Sequence, residues 1–264
     1  VSAIAAPRAV TQARVVRSEL TKLWSLRSTR WSLLLAIVAM TGLGILISSI
    51  RMSRYDTRPE RRPINPLDLS LSGWHLAELA IGVLGVLIIS GEYSSGMIRS
   101  TMIAVPRRLP VLWAKLMVFG TATFLLMLPC AFVAFFVTQS ILKQHDLQTT
   151  IDSPGVLRAV IGAALFLTVT GLLGAALGAL LRNTAGGIAT FAGIMFVLPG
   201  ISAILPATWT ANIDPYLPLN AGTQLMNIHQ GTGDLAPWSG FAVYVGYVVV
   251  LTAAAAVLLV RRDV

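Results

Sequence analysis

The sequence predicts an all-α, polytopic membrane protein of about six transmembrane helices preceded by an N-terminal amphipathic interface helix. Three observations carry this. The 264 residues are 55% hydrophobic and only 12% charged, more apolar surface than one soluble core of that length uses. Runs of about twenty mostly apolar residues, enough to cross some 30 Å of hydrocarbon, recur along the chain. The basic excess, +9 in net charge, sits between and beside those runs, which is a pattern of membrane topology and not of nucleic-acid binding. A soluble bundle would need amphipathic stripes, and these runs are apolar all round.

The first element is the leader. Val16, Leu20, Leu23 and Trp24 form one stripe of a helix, with Arg14, Ser18, Thr21, Lys22 and Ser25 on the other face. Basic residues opposite Trp and Leu suit a helix lying in the headgroup plane of an anionic leaflet. Residues 1–30 are therefore read as a leader and 31–264 as the transmembrane domain. The spans are placed at roughly Trp31 to Ile50, Trp74 to Ser90, Leu116 to Leu142, Ala159 to Leu181, Ile188 to Leu205 and Trp238 to Val260. Trp31, Trp74 and Trp238 open their runs as interfacial anchors. The second span is the shortest, with Glu78 one turn inside it. The first run is too long and too far from the start for a signal peptide and is read as a retained span.

With both termini in the cytoplasm, thirteen of the twenty Lys and Arg residues fall on the inner side. This favours a multi-pass plasma-membrane protein with both ends inside. The arginine-rich first outer loop, Arg51 to Arg62, argues the other way, partly offset by Asp56, Glu60 and Asp68.

Catalytic signatures are missing from the chain. There is no phosphate-cradling Gly-rich loop ending in Lys and Ser or Thr, no His-Glu-x-x-His pattern and no Gly-x-Ser-x-Gly elbow. The chain is accordingly expected not to be an enzyme and to hold no metal or cofactor. The single cysteine, Cys130, rules out an intrachain disulfide. Four features remain. His75 and Glu78, three apart, share a helix face near the outer boundary and form a candidate ionic or substrate-contacting pair, or simply an interfacial hydrogen-bonded one. Gly171, Gly174 and Gly178 line the fourth span at spacings that let backbones approach, against another span or a second protomer. Pro129 and Pro199 are expected to kink the third and fifth spans. The tract Gly91-Glu92-Tyr93-Ser94-Ser95-Gly96-Met97-Ile98-Arg99, followed by Val105-Pro106-Arg107-Arg108, places an ordered mix of Gly, acid, aromatic and base where the second span leaves the membrane, which suits a short helix docked on a partner.

That tract resembles the run closing the second span in permease subunits of the ABC-2 type, particularly the short actinobacterial ones. The leader run from Ser18 to Thr29, Ser-Glu-Leu-Thr-Lys-Leu-Trp-Ser-Leu-Arg-Ser-Thr, and the tract Leu181-Arg182-Asn183-Thr184-Ala185-Gly186 also look like parts of those proteins. The resemblance implies a half-transporter that pairs with a second permease copy or paralogue in the bilayer and with separate ABC ATPase subunits, which bind ATP and Mg. It further implies that Glu92, Tyr93, Met97 and Arg99 are coupling contacts to that ATPase, that Arg182 belongs to a second cytoplasmic contact, and that Leu20, Leu23 and Trp24 sit in an interface helix. The alternative reading is a secondary transporter or channel that works without ATP.

Overall fold

The computed structural model describes residues 11–55, 65–97, 108–202, 204, 206–231 and 233–261. Six helical segments among them are long and apolar enough to cross a membrane: Arg27–Ser53, Pro66–Ser94, Leu109–His145, Val156–Leu181, Thr184–Ser202 and Pro237–Arg261. The chain is thus a polytopic membrane protein.

Helix α1 (Gln12–Ser25) ends at Leu26, whose extended backbone turns the chain by φ −76° and ψ 126° directly into α2 (Arg27–Ser53). The first span therefore begins one turn before Trp31. Asn65 caps the short α3 (Pro66–Leu71), its side chain accepting from the Leu67 amide, and α4 (Trp74–Ser94) follows. At 1.5 Å per residue its 21 residues reach about 31 Å, so the second span is long enough to cross the hydrocarbon. The third span, α5 (Arg108–Leu142), starts well before Leu116 and carries Pro129 within its helix. It is followed by α6 (Val156–Leu181). The fifth span is α7 (Thr184–Ala192), a π turn over Gly193–Val197, and α8 (Leu198–Ser202) containing Pro199. Proline lacks the amide that would continue an α-helical ladder, and the widened turn lies just N-terminal to it. Leu205, where the sequence ended this span, lies outside the described residues. Two short helices, α9 (Ala207–Ile213) and α10 (Pro218–Thr223), lead to the last span, α11 (Pro237–Arg261).

Helix α6 is the hub. In its most apolar stretch 83% of residues are buried, against 17% for the fifth span. The glycine stripe explains the closeness of its neighbours. A Cβ on Gly174 would stand 2.1 Å from the Gly82 carbonyl oxygen, and one on Gly178 2.7 Å from that of Val86. From the other side, a Cβ on Gly85 would stand 2.1 Å from the Gly171 oxygen. The stripe thus faces α4 of the same chain, and the two backbones touch.

A side chain at Gly174 must push the helices apart. Gly174→Val is expected to destabilise the bundle by on the order of 1–3 kcal/mol, the usual cost of overpacking. Thermal unfolding in detergent checks this, with Gly246→Ala, where a Cβ meets nothing within 4 Å, expected to match the parent.

Candidate functional site: a buried charge quartet at one end of the bundle

Three buried ionisable residues meet at one end of the bundle: Glu19 in α1, Glu92 in the last turn of α4, and Lys115 in the first turns of α5. Isolated charges at such depth need partners. The fold supplies them. Lys115 Nζ donates to Glu92 Oε1 at 2.9 Å and also to Glu19 Oε2, while Lys22 Nζ donates to Glu19 Oε1 at 2.9 Å and to Glu92 Oε1 at 3.0 Å. Two acids and two bases form a neutral ring that joins three helices. Glu92 is only 4% exposed, so its carboxylate is used inside the chain.

Around the ring, Val15 packs against Val111 and Ala114, and Gln12 Nε2 donates to the Pro110 carbonyl at 3.2 Å. The face of α1 turned to the protein is therefore Val15, Glu19 and Leu23. Leu20 and Trp24 remain 48% and 47% exposed. This differs from the stripe read in the sequence: Leu23 joins the core, whereas Leu20 and Trp24 look outward, and Lys22 turns in toward the carboxylates. An apolar stripe marks a face to be covered without saying whether protein or lipid covers it.

Burial pulls the Lys22 ammonium down, but its hydrogen bond with Glu19 and the attraction of Glu92 and Glu19 outweigh that and hold its pKa above the ordinary 10.5. A raised pKa means that Lys22 contributes its full stabilisation below pH 10.5 and loses it as pH rises through the raised value.

A second set of contacts lies beside the ring. The Arg182 guanidinium sits 5.2 Å from the centre of the Tyr93 ring, and its Nη2 donates to the Leu258 carbonyl of α11 at 3.1 Å. Arg182 adopts the left-handed conformation that ends α6, with φ 53°. Asn183 then caps α7, accepting from the Gly186 amide at 2.7 Å, and Thr184 Oγ1 donates to Ser90 Oγ at 2.9 Å. Gly96, with φ 71°, ends α4 while its amide donates to the Tyr93 carbonyl at 3.2 Å. Met97 follows, partly buried, and Arg99 lies outside the described residues together with the rest of the tract to Arg107.

The described ends of α1 and α11 thus share one end of the bundle with Glu92, Lys115 and Arg182. His75 and Glu78 lie toward the other end, and the structure does not pair them. His75 is exposed and stacks on Trp74 with ring centres 3.7 Å apart, whereas Glu78 is 1% exposed and its Oε2 has no hydrogen-bond partner among the described residues. The hydroxyls of Tyr244 and Thr170, in the neighbouring spans, share a hydrogen bond of 2.8 Å. A spacing of three residues placed His75 and Glu78 on one broad face, but His75 lies at its exposed edge and Glu78 faces the interior. Of the arginine-rich tract from Arg51 to Arg62, only Arg51 to Tyr55 is described.

Glu19, Lys22 and Lys115 are the site residues that sequence reasoning missed. The available signal was a lone Lys inside the run Val111 to Phe119, with a lone Glu at matching depth in each of two other helices.

This is a membrane protein whose polar machinery lies at the ends of its spans. No family model matches the chain, and no curated protein matches it.

Lys115→Met leaves two buried carboxylates with one ammonium and is expected to cost on the order of 3–5 kcal/mol. Lys115→Met with Glu92→Leu leaves the Glu19–Lys22 pair intact and is expected to lose less than the two single changes added together. A thiol-reactive dye at Cys130, the chain's single cysteine, reads the unfolding. Additive losses would mean that the four charges act independently.

Proposed function

We propose that this chain is the membrane-spanning permease subunit of an ATP-driven exporter of the ABC-2 type, working with a separate ATPase subunit and a second permease. One observation carries the proposal: the three tracts behind the resemblance, far apart in sequence, meet at one end of the bundle. Lys22 of the leader binds Glu92, and Arg182 of the fourth-to-fifth connection stacks on Tyr93. That end also holds most of the described Lys and Arg residues, which favours the cytoplasm. The sparsely buried fifth span, with Val197 and Ile201 turned outward, offers a face to the second permease.

On this proposal the chain performs no bond chemistry. It has two arrangements, and nucleotide binding on the partner biases their populations. Glu92 acts by holding α1, α4 and α5 together. The contacts with the ATPase fall to the surface around Ser94, Ser95 and Met97, and to Arg99 beyond.

A second reading, transport without ATP, is favoured by Glu78 alone, a buried carboxyl inside a span.

Purification of the chain from its native membrane in mild detergent tests both. A stoichiometric partner containing a phosphate-binding Gly-rich loop, with ATPase activity, is expected, and Met97→Glu with Arg99→Glu is expected to reduce its recovery at least about tenfold, one charge introduced and one reversed at an interface being worth about 1.4 kcal/mol or more. A chain that purifies alone and moves solute into liposomes without ATP, in a manner abolished by Glu78→Gln, would sink the exporter reading.

A further inference from the structure

Arg27 and Arg30 open α2 one turn apart, and neither guanidinium has a hydrogen-bond or ionic partner among the described residues. With Trp31 and Leu34 they line a shallow recess of about 490 Å³. Steps of three, four and seven residues put Arg27, Arg30, Trp31, Leu34 and Val38 on one stripe of the helix. That stripe is uncovered: Trp31 is 70% exposed, Leu34 47% and Val38 56%. The first turn of α2 carries no acidic residue, so two cations stand against the positive end of the helix dipole with no acid among the described residues paired to them.

From these observations we infer that the α1–α2 elbow is a binding site for one anionic glycerophospholipid, the two arginines holding its phosphodiester and the Trp31–Leu34–Val38 stripe receiving an acyl chain. The inference stands apart from the exporter reading. Charge complementarity requires an anion at the arginine end, where planar guanidiniums grip phosphate oxygens in a fork. The length of the stripe requires a tail. From Arg27 to Val38 the helix rises about 16 Å, half the hydrocarbon thickness, or one leaflet. Inorganic phosphate would satisfy only the arginines, and a soluble partner protein cannot follow the stripe into the bilayer. Trp31, at the step from charge to hydrocarbon, lies at the depth where indole rings settle among headgroups.

The bound lipid would fix the elbow at Leu26, where α1 turns into α2. Leu20 and Trp24 of α1, exposed on the helix next to the elbow, lie where the same leaflet would cover them.

The test uses the full chain, purified in mild detergent, exchanged into nanodiscs of phosphatidylcholine with one-fifth phosphatidylglycerol, and released for native mass spectrometry. The parent is expected to retain phosphatidylglycerol in excess of its share. Arg27→Gln with Arg30→Gln, which removes both phosphate contacts, is expected to lower that retention by roughly tenfold or more. Arg27→Lys with Arg30→Lys keeps the charge, loses the fork, and is expected to fall between. Arg51→Gln with Arg54→Gln removes an arginine pair of the same spacing at the far end of the same helix, both of which have partners within the chain; retention is expected to be unchanged. Equal retention of the two lipids by the parent, or an equal loss from the Arg51 and Arg54 pair, would overturn the assignment. Should the double Gln variant melt early, Trp31→Ala, which alters no charge, is expected to shorten retention, and an unchanged value there would overturn it as well.

Discussion

The close approach of α4 and α6 sets the register of everything else. The two helices run in the same direction, and the small residues form a ladder: Gly82 against Gly174, Gly85 against Gly171, Val86 against Gly178. Among lipid tails there is no hydrophobic gain in bringing two apolar helices together, so contact is maintained by van der Waals packing of backbone on backbone. Such packing tolerates no sliding, because a Cβ entering any rung collides with a carbonyl. The ladder therefore fixes what lies at its end. One turn beyond Val86 and Gly178, Ser90 meets Thr184, and next to it Tyr93 meets Arg182. The polar contacts at the helix ends follow from a glycine pattern in the middle of the membrane.

The charge quartet depends on the same register. Glu92 is placed by the end of α4, and Lys115 and Glu19 must arrive at that depth on two other helices. Four charges at the edge of the hydrocarbon are costly unless each acid faces bases and each base faces acids, as they do here. The result is an asymmetric device. A well-packed apolar replacement of the whole ring need not weaken the fold, whereas removal of one member leaves a buried charge unpaired. Its value lies in specificity, since α1 has one docking position against α4 and α5 at which all four charges are satisfied.

The spans were legible in the sequence because a bilayer demands long, uninterrupted apolar runs. Their ends were less so. Helix α5 extends from Leu116 back to Arg108, through Lys115, because the quartet neutralises a charge that ordinarily marks a span boundary. The second span gained its last turn in the same way: Glu92 stays helical once Lys22 and Lys115 are near. The leader's stripe was visible in the sequence, but which edge of it meets protein depended on Val111 and Ala114, nearly a hundred residues away. His75 and Glu78 occupy different environments for a related reason. Sequence spacing fixes the angle between two side chains, while the orientation of the helix against its neighbours decides which of them is buried.

The burial of Glu92 also bears on how force would cross this end of the molecule. A carboxylate that already binds two ammonium groups has little capacity left for a partner, so a contact made by the exit tract cannot pass through it without breaking the ring. Motion applied beyond Gly96 would instead enter α4 as a rigid rod. The ring would carry it sideways to α1 and α5, and the ladder would carry it to α6, whose Arg182 reaches α11. Four of the six spans and the leader are then mechanically joined, and the first span packs on α4 and α5, leaving the fifth, interrupted by its π turn and buried least, as the element freest to move relative to the rest.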